Sequence, residues 1–356
     1  MRFRISEVGA AAAAFEFDWD TSIFSSTQSF LPGIPPNDLM KEVTYPRFVN
    51  IDNDLVLTYR IGEAGLGSDI IYRYSSDTHV YTYIGQHLTG VSNSPYINGI
   101  DYRSSRLHIS WCYRNFIVFD SPAGSKAHRQ QAGPNGPENN CDLNYAFSDD
   151  LGETWRSSDG RVLARIGSKG DANSEKTIMP GAIGARIFEI PPGNGILNQE
   201  AQTVDWEGRF WVLNRENRSG EEMWVLYRRD REGMRQRISL EILWLIFAGT
   251  WTTMNVPCLS KPTETGSRGS MCVDRNSNVY LILPGNLDTS LSIVKGELKG
   301  GDWKLETIWA RDGFDGEPLV DVQRLEISNI LSVFTRTDTN GNGQRHVVII
   351  DFVLAE

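Results

Sequence analysis

The chain lacks any apolar run long enough to cross a membrane as a helix. Its longest, Ile242–Ala248, has seven residues, against the ~20 that a span requires. Positive charge is also scarce: 35 Lys and Arg stand against 45 Asp and Glu, for a net charge of −10. That balance argues against a nucleic-acid backbone as the main partner. It still permits a small cationic pocket for an acidic ligand. The four cysteines, Cys112, Cys141, Cys258 and Cys272, have no C-x-x-C spacing. Neither a metal site nor a disulfide framework is indicated, and free thiols are expected. Long amphipathic-helix periodicity is almost missing. The N-terminus starts Met1-Arg-Phe-Arg and runs past Glu7 into five alanines with no Leu or Ile between Glu7 and Phe15, which makes a poor signal-peptide core.

What the chain has is glycine, aromatics and short alternating strands. Its 33 glycines among 356 residues exceed the usual ~7%, and aromatics reach 10%. A weak internal repeat organises them, each unit being an alternating strand that ends in Asp, a turn, and a second alternating strand. The units are Arg47–Asp52 then Leu55–Arg60, Tyr96–Asp101 then Leu107–Arg114, and Ala201–Asp205 then Arg209–Arg215. They continue with Ser270–Asp274 then Val279–Leu283, and a degenerate Pro318–Asp321 then Ile330–Phe334. The aspartates are separated by 49, 104, 69 and 47 residues. Taking 104 as two periods gives a period of about 50, the spacing of a four-stranded propeller blade. The expectation is an all-β, seven-bladed β-propeller, one domain over residues 1–356.

One stretch breaks the pattern. Met234–Gly249 separates a strand and turn ending at Gly233 from the strand that starts at Thr250. Removing it restores the repeat spacing, so it is expected to be an insertion foreign to the fold, such as a translated intron. The alternative is a genuine buried strand or helix.

Ser148-Asp-Asp-Leu-Gly-Glu-Thr-Trp155 matches the Asp-box S-x-D-x-G-x-T-W at every defined position. The Asp caps backbone donors, the Gly takes a positive φ, and the Trp packs between blades. Ser75–Asp77 and Gly300–Trp303 are eroded copies. Tyr45–Phe48, Arg60–Gly67, Leu107–Trp111, Asn139–Tyr145 and Asn198–Asp205 add to this motif. Together they resemble the Asp-box (BNR) repeat family, which includes propeller ulvan lyases, rhamnose–glucuronate lyases and related α-rhamnosidases. The resemblance covers roughly residues 16–233 and 250–356. It implies a seven-bladed propeller with the glycan at one end of the central channel, and β-elimination next to a uronic acid.

That chemistry needs an Arg fork to neutralise the uronate carboxylate, and a His or Tyr to take the C5 proton and return one to the leaving oxygen. The resemblance makes His108 the expected base, the alternative being a satisfied histidine between blades. Arg215, at a strand end suited to the channel mouth, is expected to clamp the carboxylate. Tyr145 is the expected acid, and His87 is a further catalytic candidate at a strand exit. Substrate contacts are expected from Arg47, Arg60, Asn140, Cys141, Arg161, Gln199 and Arg268. Cys141 departs from the pattern, standing where lyases of the family carry a second His, and a thiol is a weak acid at best. The loop of Gly62, Gly65 and Gly67 opens no helix and so is a poor phosphate cradle.

Three readings follow. The first is a lyase acting on a rhamnose–glucuronate linkage. The second is a glycoside hydrolase on the same fold; a paired-carboxylate mechanism needs two acids facing the channel, and no local motif supplies a sialidase's arginine triad with its Tyr and Glu. The third is a non-catalytic carbohydrate-binding propeller, which Cys141 favours. The partner in each case is an acidic plant or algal glycan, with no nucleic acid, no membrane and a monomeric state. No metal site and no cofactor are expected, although the resemblance admits a structural calcium in the channel. It also implies an extracellular location, which the sequon Asn217-Arg-Ser219 supports weakly.

Overall fold

The computed structural model describes residues 2–7, 10, 20–118, 136–167, 176–217, 220–230, 250–257, 261–263, 265–285, 289–339 and 341–354. Strands dominate them because β-branched and aromatic residues alternate with polar ones and leave each strand two usable faces. On β2 below, Val56 points into one core and Leu57 into another.

Five sheets form among the described residues. The first holds β1 (Thr44–Ile51), β2 (Asp54–Ile61), β3 (Ser68–Ser75) and β4 (Val80–Thr89). The second holds β5 (Asn93–Arg103), β6 (Arg106–Asn115), β7 (Asn140–Ser148), β8 (Thr154–Arg156), β9 (Val162–Arg165) and β10 (Arg186–Phe188), which pairs with β7. The third comprises β11 (Ala201–Val204), β12 (Phe210–Glu216), β13 (Met223–Arg229) and β14 (Trp251–Asn255). The fourth has β15 (Ser270–Val273), β16 (Val279–Pro284), β17 (Ser290–Lys299) and β18 (Asp302–Asp312). The last has three strands, β19 (Leu319–Val320), β20 (Ile330–Arg336) and β21 (Val347–Val353), with helix α1 (Val322–Ser328) after β19.

The sheets stack face to face as blades. Trp111, Trp155 and Ile97 of the second meet Val56, Ile71 and Leu88 of the first. Tyr145 and Phe147 meet Phe210 and Tyr227 of the third. Trp211 and Trp224 meet Leu281 and Val294 of the fourth, whose Ile282 and Ile293 meet Leu331 and Val333 of the fifth. The first strands β1, β5, β11, β15 and β19 pack side by side along the axis. No described helix is long and apolar enough to cross a membrane.

The fold is therefore an all-β propeller, but of five blades rather than the expected seven. The described residues between Asp101 and Asp205 contribute to one blade, not two. The described residues before Thr44 form no blade either. Bridges Phe3–Gln28 and Ser6–Phe24 and two short 3-10 turns place Leu31 and Met40 against Leu57, Tyr59, Ile70 and Tyr72 on the outer face of the first blade. The five strand–Asp–strand units of the sequence correspond one to one with the five blades.

The Asp-box forms the turn from β7 to β8. Ser148 Oγ accepts from Gly152 N–H at 2.8 Å and Asp150 Oδ1 from Thr154 N–H at 2.6 Å. Gly152 has φ +95°, and Trp155 is fully buried. The eroded copies occupy the matching turns, β3 to β4 and β17 to β18. In the third blade Arg229 pairs with Trp251 and Asp230 N–H donates to Thr250 O at 3.0 Å. A hairpin thus closes there. The expected foreign segment, Met234–Gly249, lies outside the described residues.

Candidate functional site at the channel mouth

Antiparallel pairing brings the start of each blade's first strand beside the end of its second. Thr44 faces Arg60 and Ser94 faces Arg114. One end of the channel, the mouth, is therefore ringed by residues opening β1, β5, β11 and β15 and closing β2, β6 and β12.

Tyr96 of β5 is buried there with two guanidinium groups on it, Arg60 at 4.8 Å and Arg114 at 4.7 Å from the ring centroid. Stacking of this kind suits Arg, whose planar cation is weakly hydrated. Arg60 is spent on the protein: it donates to Ser94 Oγ at 2.7 Å, to Thr44 and to the carbonyls of Gly62 and Glu63. Arg114 is only partly spent. Its Nε donates to Asn140 Oδ1 at 2.9 Å and its Nη2 to Asn198 Oδ1 at 2.6 Å, which aims the fork and leaves Nη1 for a ligand. Asn140 also donates to Asn198.

Asn198 holds a second guanidinium. Arg268 Nε donates to its carbonyl at 2.8 Å, while Arg268 Nη1 pairs with Glu317 at 3.0 Å. Arg47 lies close enough to be repelled by Arg268. Its Nη2 donates to Ile97 O at 3.1 Å, and its buried Nε has no hydrogen-bond partner. Burial and that repulsion pull the Arg47 pKa down, against the pull of Asp69 and Asp101. The mouth is thus locally cationic on an acidic protein.

Two residues at the mouth carry backbone strain. Tyr45 has φ +56° at a bulge of β1, and Gln199 has φ +63° just before β11. Such left-handed residues are uncommon and gather at functional sites. Tyr45 is 46% exposed, with its ring 5.9 Å from that of Tyr96. Gln199 Oε1 accepts from Asn198.

The other expected site residues are distributed differently. Arg215 is fully buried, forked onto Glu200 at 2.9 and 3.1 Å and donating to three backbone carbonyls. Its fork is already occupied by a carboxylate, so it pins the third blade. His108 and Tyr145 are together, at 2.8 Å, but between the second and third blades, His108 stacked on Phe210 and Tyr145 tilted against it. His108 lies six residues before Arg114 on β6, about 20 Å away along an extended strand. Burial, with Arg106 and Arg229 nearby, lowers its pKa and keeps the ring neutral. His87 is buried against Trp155, with Nε2 3.4 Å from the Asp69 carboxylate. Burial pushes its pKa down to about 3, so that contact is not an ion pair at neutral pH. Cys141 adjoins Asn140, but burial pushes its thiol up to about 11, and it points to Asn115. Arg161 is exposed in the turn between β8 and β9, on the outer side of its blade. Among the described residues, no three His, Cys, Asp or Glu side chains gather as a metal site.

The profile of the BNR repeat-containing family matches residues 10–240. The chain belongs to that family. None of the curated proteins matches it in sequence. Among solved structures it is similar to the polysaccharide lyase Uly1, with a TM-score of 0.59 and 14% identity over 94% of this chain and 64% of that one. It is also similar to an ulvan lyase of a polysaccharide lyase family, with a TM-score of 0.50 and 13% identity over 88% of this chain and 66% of that one. The BNR repeat-containing chain therefore spans just under two thirds of either lyase. At these identities the likeness is one of fold.

Arg114, Tyr96, Asn198 and Tyr45 were missed as site residues by motif reasoning. A signal for Arg114 was present: the second strands of the first three repeat units all end in Arg, at Arg60, Arg114 and Arg215.

Proposed function

We propose that this BNR repeat-containing protein binds an acidic glycan through a uronate carboxylate at the channel mouth and cleaves it there by β-elimination. The observation that carries this reading is Arg114. Its fork is positioned by Asn140 and Asn198 beside Arg268 and retains an unspent edge. A planar, permanently charged fork suits a carboxylate. Neutralising that carboxylate makes the C5 proton more acidic. Loss of the proton then forms the C4–C5 double bond as the C4–O4 bond breaks, and O4 takes a proton. Tyr45 is the group we assign to proton transfer, because its exposed ring is held at the mouth beside Tyr96. A rhamnose–glucuronate linkage is the first substrate to try, on the strength of the sequence resemblance.

A second reading, binding without cleavage, draws on a specific observation: His108 and His87 are both sealed in blade interfaces, and Cys141 carries a neutral thiol. The hydrolase reading gains less, since Glu200 and Glu317 at the mouth are both paired with arginines. One experiment separates the first two readings. The protein is incubated with a rhamnose–glucuronate glycan while ultraviolet absorbance of the unsaturated uronate is followed and binding is measured by calorimetry. Absorbance that Tyr45→Phe abolishes supports elimination. Binding without absorbance leaves the site as a recognition site, and neither signal removes both readings for that glycan.

A further inference from the structure

Arg268 and Glu317 hold matching places in successive blades, each two residues before the first strand, β15 or β19. That puts both at the mouth. One oxygen of the Glu317 carboxylate, Oε1, accepts from the Arg268 backbone N–H at 3.1 Å and from Arg268 Nη1 at 3.0 Å. The loop that carries Glu317 is tied down on both sides. The N–H groups of Gly313 and Phe314 both donate to Thr289 O at 2.7 Å, and Asp315 N–H donates to Arg336 O at 3.1 Å. The Asp315 carboxylate pairs with Arg345 at 2.6 Å, and Pro318, on the other side, is buried. A fixed loop thus presents the carboxylate to Arg268.

The elimination described above makes no use of this carboxylate, yet it sets the charge beside the uronate site. Arg268 and Arg114 bond the same residue, Asn198, through its carbonyl and its Oδ1, so the two guanidinium groups are neighbours. Arg47 adds a third cation close to Arg268. Glu200, the other acid at this point, is forked onto Arg215. Freed of Glu317, Arg268 would offer a second anion contact one residue away from Arg114. With Glu317 in place, its charge is met by the protein, and a second ligand acid arriving there faces a carboxylate. Like charges set against each other reject a partner at little cost to the wanted one. We propose that Glu317 is a specificity-determining residue, which fits the mouth to a uronate flanked by uncharged sugars and rejects runs of adjacent uronates. The inference rests on the reading of Arg114 as the uronate contact.

The test is calorimetric titration of two oligosaccharides of equal length, one alternating uronates with neutral sugars and one made of uronates alone. Each is titrated into the full-length wild-type chain, into Glu317→Gln, and into Glu317→Gln combined with Arg268→Ala. The wild type is expected to bind the alternating glycan at least about tenfold more tightly. Glu317→Gln keeps the shape of the side chain. It is expected to tighten binding of the all-uronate glycan at least about tenfold and to change the alternating one by less than about threefold. Adding Arg268→Ala is expected to abolish that gain, because the gain comes from the released cation. A wild type that binds both glycans equally, or a preference unchanged in Glu317→Gln, would overturn the proposal. Loss of both glycans in Glu317→Gln would also overturn it, by making Glu317 a support for Arg268. Binding of neither glycan by any of the three proteins is a different failure: it would remove the uronate reading itself, and this inference with it.

Discussion

Arg114 and His108 share one strand and face opposite fates. Arg114 closes β6 at the mouth, whereas His108 sits near the start of that strand in a sealed contact with Tyr145 and Phe210. His108→Ala is therefore expected to lower stability by about 2–4 kcal/mol through the cavity it leaves. It should leave the glycan dissociation constant unchanged; thermal melts and calorimetry on the same preparation check both parts. A second residue-scale expectation concerns pH. Burial raises the Asp69 carboxyl to about 6, and Asp101 likewise to about 6, against about 3.9 unfolded. Between roughly pH 4 and 6 the folded chain holds more protons than the unfolded one, so stability should fall as pH rises through that window and level off above it. Asp69→Asn should remove about half of that slope and raise stability at neutral pH by up to about 3 kcal/mol, as melting curves against pH would report. The residue types of the mouth were legible in the sequence; their depth was not, since a period-2 pattern gives the face of a strand and not which end of the blade it occupies. The clue for His108 lay in topology. Its strand starts just after the Asp turn, at the end of the blade where the Asp-box also turns, and so away from the mouth.

At the scale of elements, local signals read well because their hydrogen bonds are local. The Asp-box is one turn closed by its own side chains, and its glycine has little freedom to change. A Cβ on Gly152 would meet Ile71 Cδ1 at 2.7 Å from a backbone at φ +95°. Gly152→Ala is expected to cost about 1–3 kcal/mol and to loosen the packing of Trp155 between the first two blades, measurable by denaturant unfolding and tryptophan fluorescence. The β13–β14 hairpin makes a different prediction. Its strands are already joined by the Asp230–Thr250 hydrogen bond, so deleting Met234–Gly249 should leave the melting temperature equal to or above that of the full chain. A deletion that prevents folding would show that the segment belongs to the blade. The eroded Asp-boxes at Ser75–Asp77 and Gly300–Trp303 show how the same turn survives when the motif decays: the strands on both sides still specify the hairpin.

For the whole molecule, the class of fold was readable and the number of blades was not. Repeat units count blades correctly, because each is a first strand, its turn and a second strand. Dividing chain length by the period fails, because loops grow without adding a blade and because the described residues before Thr44, Leu31 and Met40 among them, cover a blade face instead of building one. The architecture places Arg47, Arg60, Arg114 and Arg268 at one end of the first strands on a chain of net charge −10, and that contrast is the basis of the functional reading. The most direct test is calorimetric titration of a uronate oligosaccharide and its carboxyl-reduced counterpart into the wild-type protein, Arg114→Ala and Arg114→Lys. The account predicts binding of the uronate form, about a tenfold or greater loss on Arg114→Ala that Arg114→Lys does not repair, and little binding of the reduced form by any of the three. Equal affinity for the charged and reduced glycans, or wild-type affinity in Arg114→Ala, would contradict it.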